Sequence, residues 1–337
     1  MKIRNRNSVS NLEFSSEGLT ETLSAELGAV FSLHTTAHFC LAVQAAPVGD
    51  PNATSTIAQW AGNLLEVTYT NFLTALKTWT LAAATDLGVI IFTHRKEFHA
   101  YNRVRGVSSY LHDSHSGYYC PRRNHVVLLL EPDHGLTVST AWGVGENGWL
   151  EAKRCHVVHE SVHLLCFNCG LLERDTQYPW WVVEGIAVCF EAAPPGSLPF
   201  SLESTAGGLL AMHLREMNQG GHLLTLDAFL PLVRPPRRLS GVEGWQVMYC
   251  QGWGLFHFMY SHYRDELAAF IGGLSKQNRA HSWDGKQCTT VPWMRWRFRR
   301  SKHTREVFAR YCGATSGVLD TQWLEFLQSV GNRQDIR

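Results

Sequence analysis

The sequence predicts an α+β protein, with a small mixed β-sheet and its helices in the N-terminal half and a mostly helical C-terminal half. Three observations carry that prediction. Runs rich in β-branched and aromatic residues alternate with helical spacing before residue 150, helical spacing dominates after it, and no internal repeat is present. The 337 residues, 45% hydrophobic and 18% charged, suffice for one large core or two modest ones and lie outside the disordered range.

In chain order, residues 1–30 read as an N-terminal extension that starts basic. TTAHFCLAVQA (35–45) has strand composition, IAQWAGNLLEVTYTNFLTALKTW (57–79) has apolar residues at helical spacing, and LGVIIF (87–92) reads as a second strand before a short helix near 95–104. HVVLLLE (125–131) follows a Cys-Pro-Arg-Arg-Asn turn and reads as a third strand, either an edge on which an extended peptide pairs or a buried central strand. Residues 31–170 then form an α/β subdomain holding the edge strand and the motif helix, and 171–337 a mainly helical subdomain. Helices are predicted over 150–168, 181–192, 201–217, 245–273 and 304–329, the last two with breaks, and PLVRPPRRLSG (231–241) is a loop by its prolines and arginines.

The formal net charge of +1 gives no field that would hold the whole surface on nucleic acid or an anionic membrane. No uncharged apolar run reaches the length of a membrane span, and the first thirty residues lack the apolar stretch of a secretory signal, so a cytoplasmic protein is expected. Nine cysteines, odd in number and thinly spread, do not form a disulfide framework. The lone CxxC of Cys166 and Cys169 reads as two buried thiols. Residues 293–311, WMRWRFRRSKHTREVFARY, interleave basic and aromatic residues, a composition that can grip phosphates, yet in a near-neutral chain it reads first as a solvated face or a contact for acidic substrate.

One segment carries chemistry. Within HVVHESVHLLCFNC (156–169), His159-Glu160-Ser161-Val162-His163 is an HExxH. Residues four apart on a helix lie about 40° apart and one turn apart in height, so the two imidazoles can converge on one ion. Glu160, turned about 100° from His159, stands beside that ion as a base for its water rather than as a ligand. A hydrolytic zinc site wants three protein ligands and an open corner. WWVVEGIA (180–187) offers Glu184, twenty residues beyond His163, enough to end one helix and return a second antiparallel to it. Gly185 would let the two helices approach closely.

HESVH followed by WWVVEGIAVCFE resembles the gluzincin metallopeptidases, whose signature is HExxH plus a downstream Glu. More narrowly the chain is similar to an uncharacterised bacterial branch of that clan, through TTAHFCLAV, GVIIFTHRKEFHAY, SGYYCPRRNHVVLLLE, MYCQGWGLFHFMY and LDTQWLEFL, over roughly residues 34–328. The resemblance implies a zincin-like fold, a Zn2+ cofactor held by His159, His163 and Glu184, and Glu160 as general base. It also implies an oxyanion donor from the helical half, for which Tyr249 is the candidate with His257 behind it.

His156, one turn before His159, is expected beside the ligands as a hydrogen-bond partner or alternative ligand, and Glu191 as a carboxylate that orients a ligand histidine. The predicted function is therefore a zinc-dependent peptidase acting on peptide or protein substrates. Without an N-terminus-binding motif, endopeptidase action is favoured. The alternative is a non-catalytic zincin-fold binding module that reaches anionic partners through the basic 293–311 segment.

Overall fold

The structure, a computed structural model, describes residues 16–45, 52–79, 81–105, 107, 116–131, 148–174, 176, 178–194, 197–200, 209–232, 242–278, 301–312 and 316–332. Much of the predicted 231–241 loop, the start of the predicted 201–217 helix and residues 293–300 of the basic segment lie outside them.

Its N-terminal half runs α1 (Ser16–Leu27), β1 (Phe31–Thr35), β2 (Phe39–Gln44), α2 (Ala53–Ala75), β3 (Leu87–Phe92), α3 (Arg95–Val104), β4 (Gly117–Cys120) and β5 (His125–Leu129). The helical half comprises α4 (Gly148–Asn168), α5 (Trp180–Glu191), α6 (Leu209–Gln219), α7 (Leu226–Phe229), α8 (Val242–His262), α9 (Arg264–Asn278), α10 (Ser301–Cys312) and α11 (Ser316–Asn332). The α+β class is as predicted.

The five strands form one sheet in the order β1-β2-β3-β5-β4. β2, β3 and β5 are parallel, and β1 and β4 pair antiparallel at the two ends. Both faces are covered. Phe39, Leu41, Val43, Val89, Ile91, Val126 and Leu128 point into the main core with α2 and α4, whereas Ala42, Ile90, Phe92, Val127 and Leu129 join Leu19, Leu23 and Phe98 from α1 and α3. A strand buried on both sides has no polar face to display, which is why LGVIIF and HVVLLL read as continuous apolar runs.

Three expectations change here. The predicted strand at 35–45 is the second arm of a hairpin whose first arm starts at Phe31. The second half of the expected N-terminal extension is α1, packed on the sheet and tied down by Glu26, which accepts from Tyr101 and pairs with Arg105 and Arg123. Of the two readings of HVVLLLE, the central one holds: β5 pairs with β3 on one side and β4 on the other, so among the described residues the edge beside α4 is Gly117–Cys120. Four residues without alternation carry little strand signal, but Tyr-Tyr-Cys, a turn and an apolar run together spell a hairpin.

In the helical half, α5 is buried along its whole length between α4 and α8. The close approach permitted by Gly185 is to α8 rather than α4: a Cβ there would lie 2.5 Å from the Gly252 carbonyl oxygen and 2.9 Å from Phe256 Cβ. Backbone cannot move aside as a flexible side chain can. Gly185→Ala is expected to lower stability by about 1–3 kcal/mol, the usual cost of overpacking, read as a fall in the chemical-denaturation midpoint.

Candidate metal centre

The site forms where α4 and α5 cross below the β4 edge. His159 and His163 project from the same side of α4, one turn apart, and Glu184 enters from the first turns of α5. The three side chains make a tight triangle, closed through both oxygens of the carboxylate: His159 Nε2 to His163 Nε2 is 3.1 Å, His159 Nε2 to Glu184 Oε2 is 3.1 Å, and His163 Nε2 to Glu184 Oε1 is 3.6 Å. Ligands about 2.0–2.1 Å from a tetrahedral ion stand roughly 3.3–3.4 Å from each other, so these separations suit a zinc-sized cation. Among the described residues this is the group of metal-donor side chains that could hold an ion, and all three members are buried.

The donor chemistry points the same way. His159 Nδ1 lies 2.8 Å from Glu191 Oε2, which accepts its proton. With the proton on Nδ1, Nε2 turns a lone pair toward Glu184 and His163, and acceptors crowded into a dry pocket need a cation or a proton between them. Glu191 thus sits against the outer nitrogen of His159, where it could orient that imidazole toward an ion. Its helix end is itself anchored, because Arg154 donates to the Glu191 carbonyl oxygen at 2.7 Å. Glu191→Gln is expected to weaken metal binding about 10–100-fold with the fold retained, as outer partners of metal ligands do, measured by titration against a competing chelator.

Electrostatics couple the cluster to protons. Burial alone would lower His159, but hydrogen bonds to Glu184 and Glu191 and their charges carry it well above its ordinary value. Burial works against Glu184 too, yet the His163 charge and the hydrogen bonds from both imidazoles hold its carboxyl at about 2. Metal-free His159 therefore keeps a proton past its usual range, and an incoming ion has to displace it. Metal affinity should rise with pH through and beyond the ordinary imidazole range, with protons released on binding, checked by calorimetry in buffers of different ionisation enthalpy.

Glu160 stands outside the triangle on the β4 side. The residue is partly exposed, yet burial of its carboxyl pushes it above the usual range, against the charges of His159 and His163. The Tyr119 backbone N–H of β4 bonds to it, and a Cβ placed at Gly117 would lie 3.4 Å from its Cγ. Tyr119 in turn stacks on Phe167 of α4 at 5.5 Å. The sequence reading missed this role of β4 because it missed the strand.

Tyr249 of α8 comes to the site as expected, its ring centroid 6.4 Å from that of His159 and 5.3 Å from that of Trp180. His257 does not. It lies about 12 Å further along α8 and is enclosed by Trp253, Phe200 and Phe326, where burial lowers its imidazole to about 4. Its role is in the core. His156 hydrogen-bonds Ser116 through Nδ1 at 2.7 Å, which places it at the head of β4, and it is not part of the donor triangle. Cys166 and Cys169 are buried free thiols; burial pushes Cys166 well above its ordinary value and Cys169 to about 11. Two thiols in that state suit packing.

A family model described as a protein of unknown function (DUF1570) matches residues 154–280. The DUF1570 match begins two residues before His156 and takes in the whole donor triangle, Glu160, Glu191 and Tyr249. No curated protein matches the chain. No helix among the described residues is long and apolar enough to cross a membrane.

Proposed function

We propose that this protein is a zinc-dependent peptidase. The observation that carries the reading is the buried triangle of two imidazole nitrogens and one carboxylate, spaced for a tetrahedral ion, with a second carboxylate beside it and outside it. Two histidines and a glutamate are the ligand set of hydrolytic zinc sites that keep one position open. Zinc held by His159, His163 and Glu184 would supply Lewis acidity, polarising a substrate carbonyl and making water a better acid.

The remaining chemistry belongs to the side chains. Glu160 takes the proton of the attacking water and passes it to the departing amine, and a carboxyl whose pKa is raised by burial suits the holding of that proton between the two transfers. Tyr249, whose ring lies beside His159, would donate its phenol hydrogen to the oxygen on which negative charge builds. β4 offers the edge on which an extended chain pairs. In the antiparallel ladder Ser116 bonds inward, its carbonyl accepting from Leu129, so Gly117 turns its N–H and C=O outward, as does Tyr119, whose outward N–H is taken by Glu160. An extended polypeptide with no free terminus required is the substrate this favours, as for an endopeptidase.

The test is zinc stoichiometry by mass spectrometry together with cleavage of an internally quenched peptide library, before and after stripping with a chelator. Stoichiometric zinc with chelator-sensitive, zinc-restorable cleavage is expected. Stoichiometric zinc with no peptide cleaved would favour the non-catalytic module, and failure to bind zinc would overturn the peptidase reading.

A further inference from the structure

His156 is the one imidazole of the motif helix that the catalytic scheme leaves unused. It lies one turn before Glu160 on α4, and its Nδ1 is 2.7 Å from the Ser116 hydroxyl, the residue immediately before β4. Further along, α4 touches β4 again where Glu160 meets Gly117 and the Tyr119 amide, and again where Phe167 stacks on Tyr119. Beyond the strand, Asn124 and Asn168 exchange side-chain hydrogen bonds at 2.8 Å, and Arg174 donates to both. The far end of the strand is therefore clamped by an amide pair and an arginine. Near its head, where the outward-facing Gly117 stands, the corresponding side-chain tie is the His156 to Ser116 hydrogen bond.

Gly117 has no side chain to wedge against α4, and a Cβ there would meet Leu128 Cδ2 at 2.8 Å, so the strand lies flat on its neighbours. Its lateral position is then held by what flanks it. A shift at Ser116 moves Gly117, and with it the backbone groups that an extended substrate would use.

We propose that His156 is a positioning residue: by holding Ser116 it sets the distance between the β4 edge and the metal centre, and so the register in which a peptide backbone is presented to Glu160. This rests on the peptidase reading. It assigns His156 no contact with the ion or the reacting atoms, only an effect through β4.

Two probes separate the edge from the metal. Acetohydroxamate chelates zinc and has no backbone to pair, whereas the tightest member of a capped tripeptide hydroxamate library adds an extended chain. With zinc-loaded protein, His156→Ala and Ser116→Ala are each expected to weaken the tripeptide hydroxamate about 5–10-fold, the range of a lost neutral hydrogen bond, and to leave acetohydroxamate and zinc affinity unchanged. The double variant should bind no more weakly than either single one, because both remove the same bond. His156→Asn, whose amide reaches the place of Nδ1, should restore binding. Equal weakening of both hydroxamates, unchanged binding of both, or additive losses in the double variant would overturn the proposal with the peptidase reading intact. A wild-type protein that binds the tripeptide hydroxamates no better than acetohydroxamate overturns both. Should His156→Ala fail to fold, Ser116→Ala, a smaller change at a partly exposed residue, decides the matter alone.

Discussion

Glu160→Gln is expected to keep zinc bound while peptide turnover falls about 10²–10⁴-fold, the range that a positioned general base contributes. Gln matches Glu in shape and retains a carbonyl oxygen for the Tyr119 amide, so the β4 contact survives. What it cannot do is accept and return a proton. The loss should therefore fall on kcat with KM little changed, which marks an interaction needed in the transition state rather than in binding. Glu160 lies outside the donor triangle, and zinc content should equal that of the parent. Loss of zinc along with activity would make Glu160 part of the metal's support and remove the base from the scheme.

Glu184→Ala is expected to have the larger effect on the metal. It takes away the only carboxylate of the triangle, and with it the charge that offsets a divalent ion in a buried pocket. The fall in zinc affinity should exceed the ~10–100-fold expected at Glu191, which acts only through His159. The helix itself should persist, because Trp181, Val182, Ile186 and Ala187 hold α5 by apolar packing. Two melting experiments check this. The zinc-dependent gain in stability of the parent should vanish in the variant at the same zinc concentration. In chelator, the parent should lose stability as pH falls from about 4.3 toward about 2, where Glu184 takes its proton, because a carboxyl depressed in the folded state stabilises only above that range. The variant should lack that part of the acid transition.

The two histidines of the candidate site were legible because their relation is local. An i, i+4 pair on a helix meets whatever the rest of the fold does. Glu184 was legible at one remove, through a segment of the right length to return a second helix. Gly185 shows where such reasoning stops: a missing side chain announces a close approach and says nothing of the partner, which proved to be Gly252 of α8 and not the motif helix. His257 and Tyr249 share one amphipathic-looking helix, and only the packing of Phe200, Trp253 and Phe326 sends the first into the core while the second reaches His159. His156 points to the motif side of its helix, as its spacing requires, but its partner is a serine forty residues earlier in the chain.

From sequence alone, this chain determines its α+β class, its motif helix, the candidate ligand set of His159, His163 and Glu184, and the carboxylate beside them. Those follow from helical periodicity and short-range spacing, which the backbone geometry makes nearly independent of context. Strand order, the identity of the edge strand and the side chains that hold it were decided only by the tertiary structure. The two hairpins are local, but how they join through β3 depends on pairing between distant segments and on which sheet face each helix covers, and no local pattern in the chain encodes that choice.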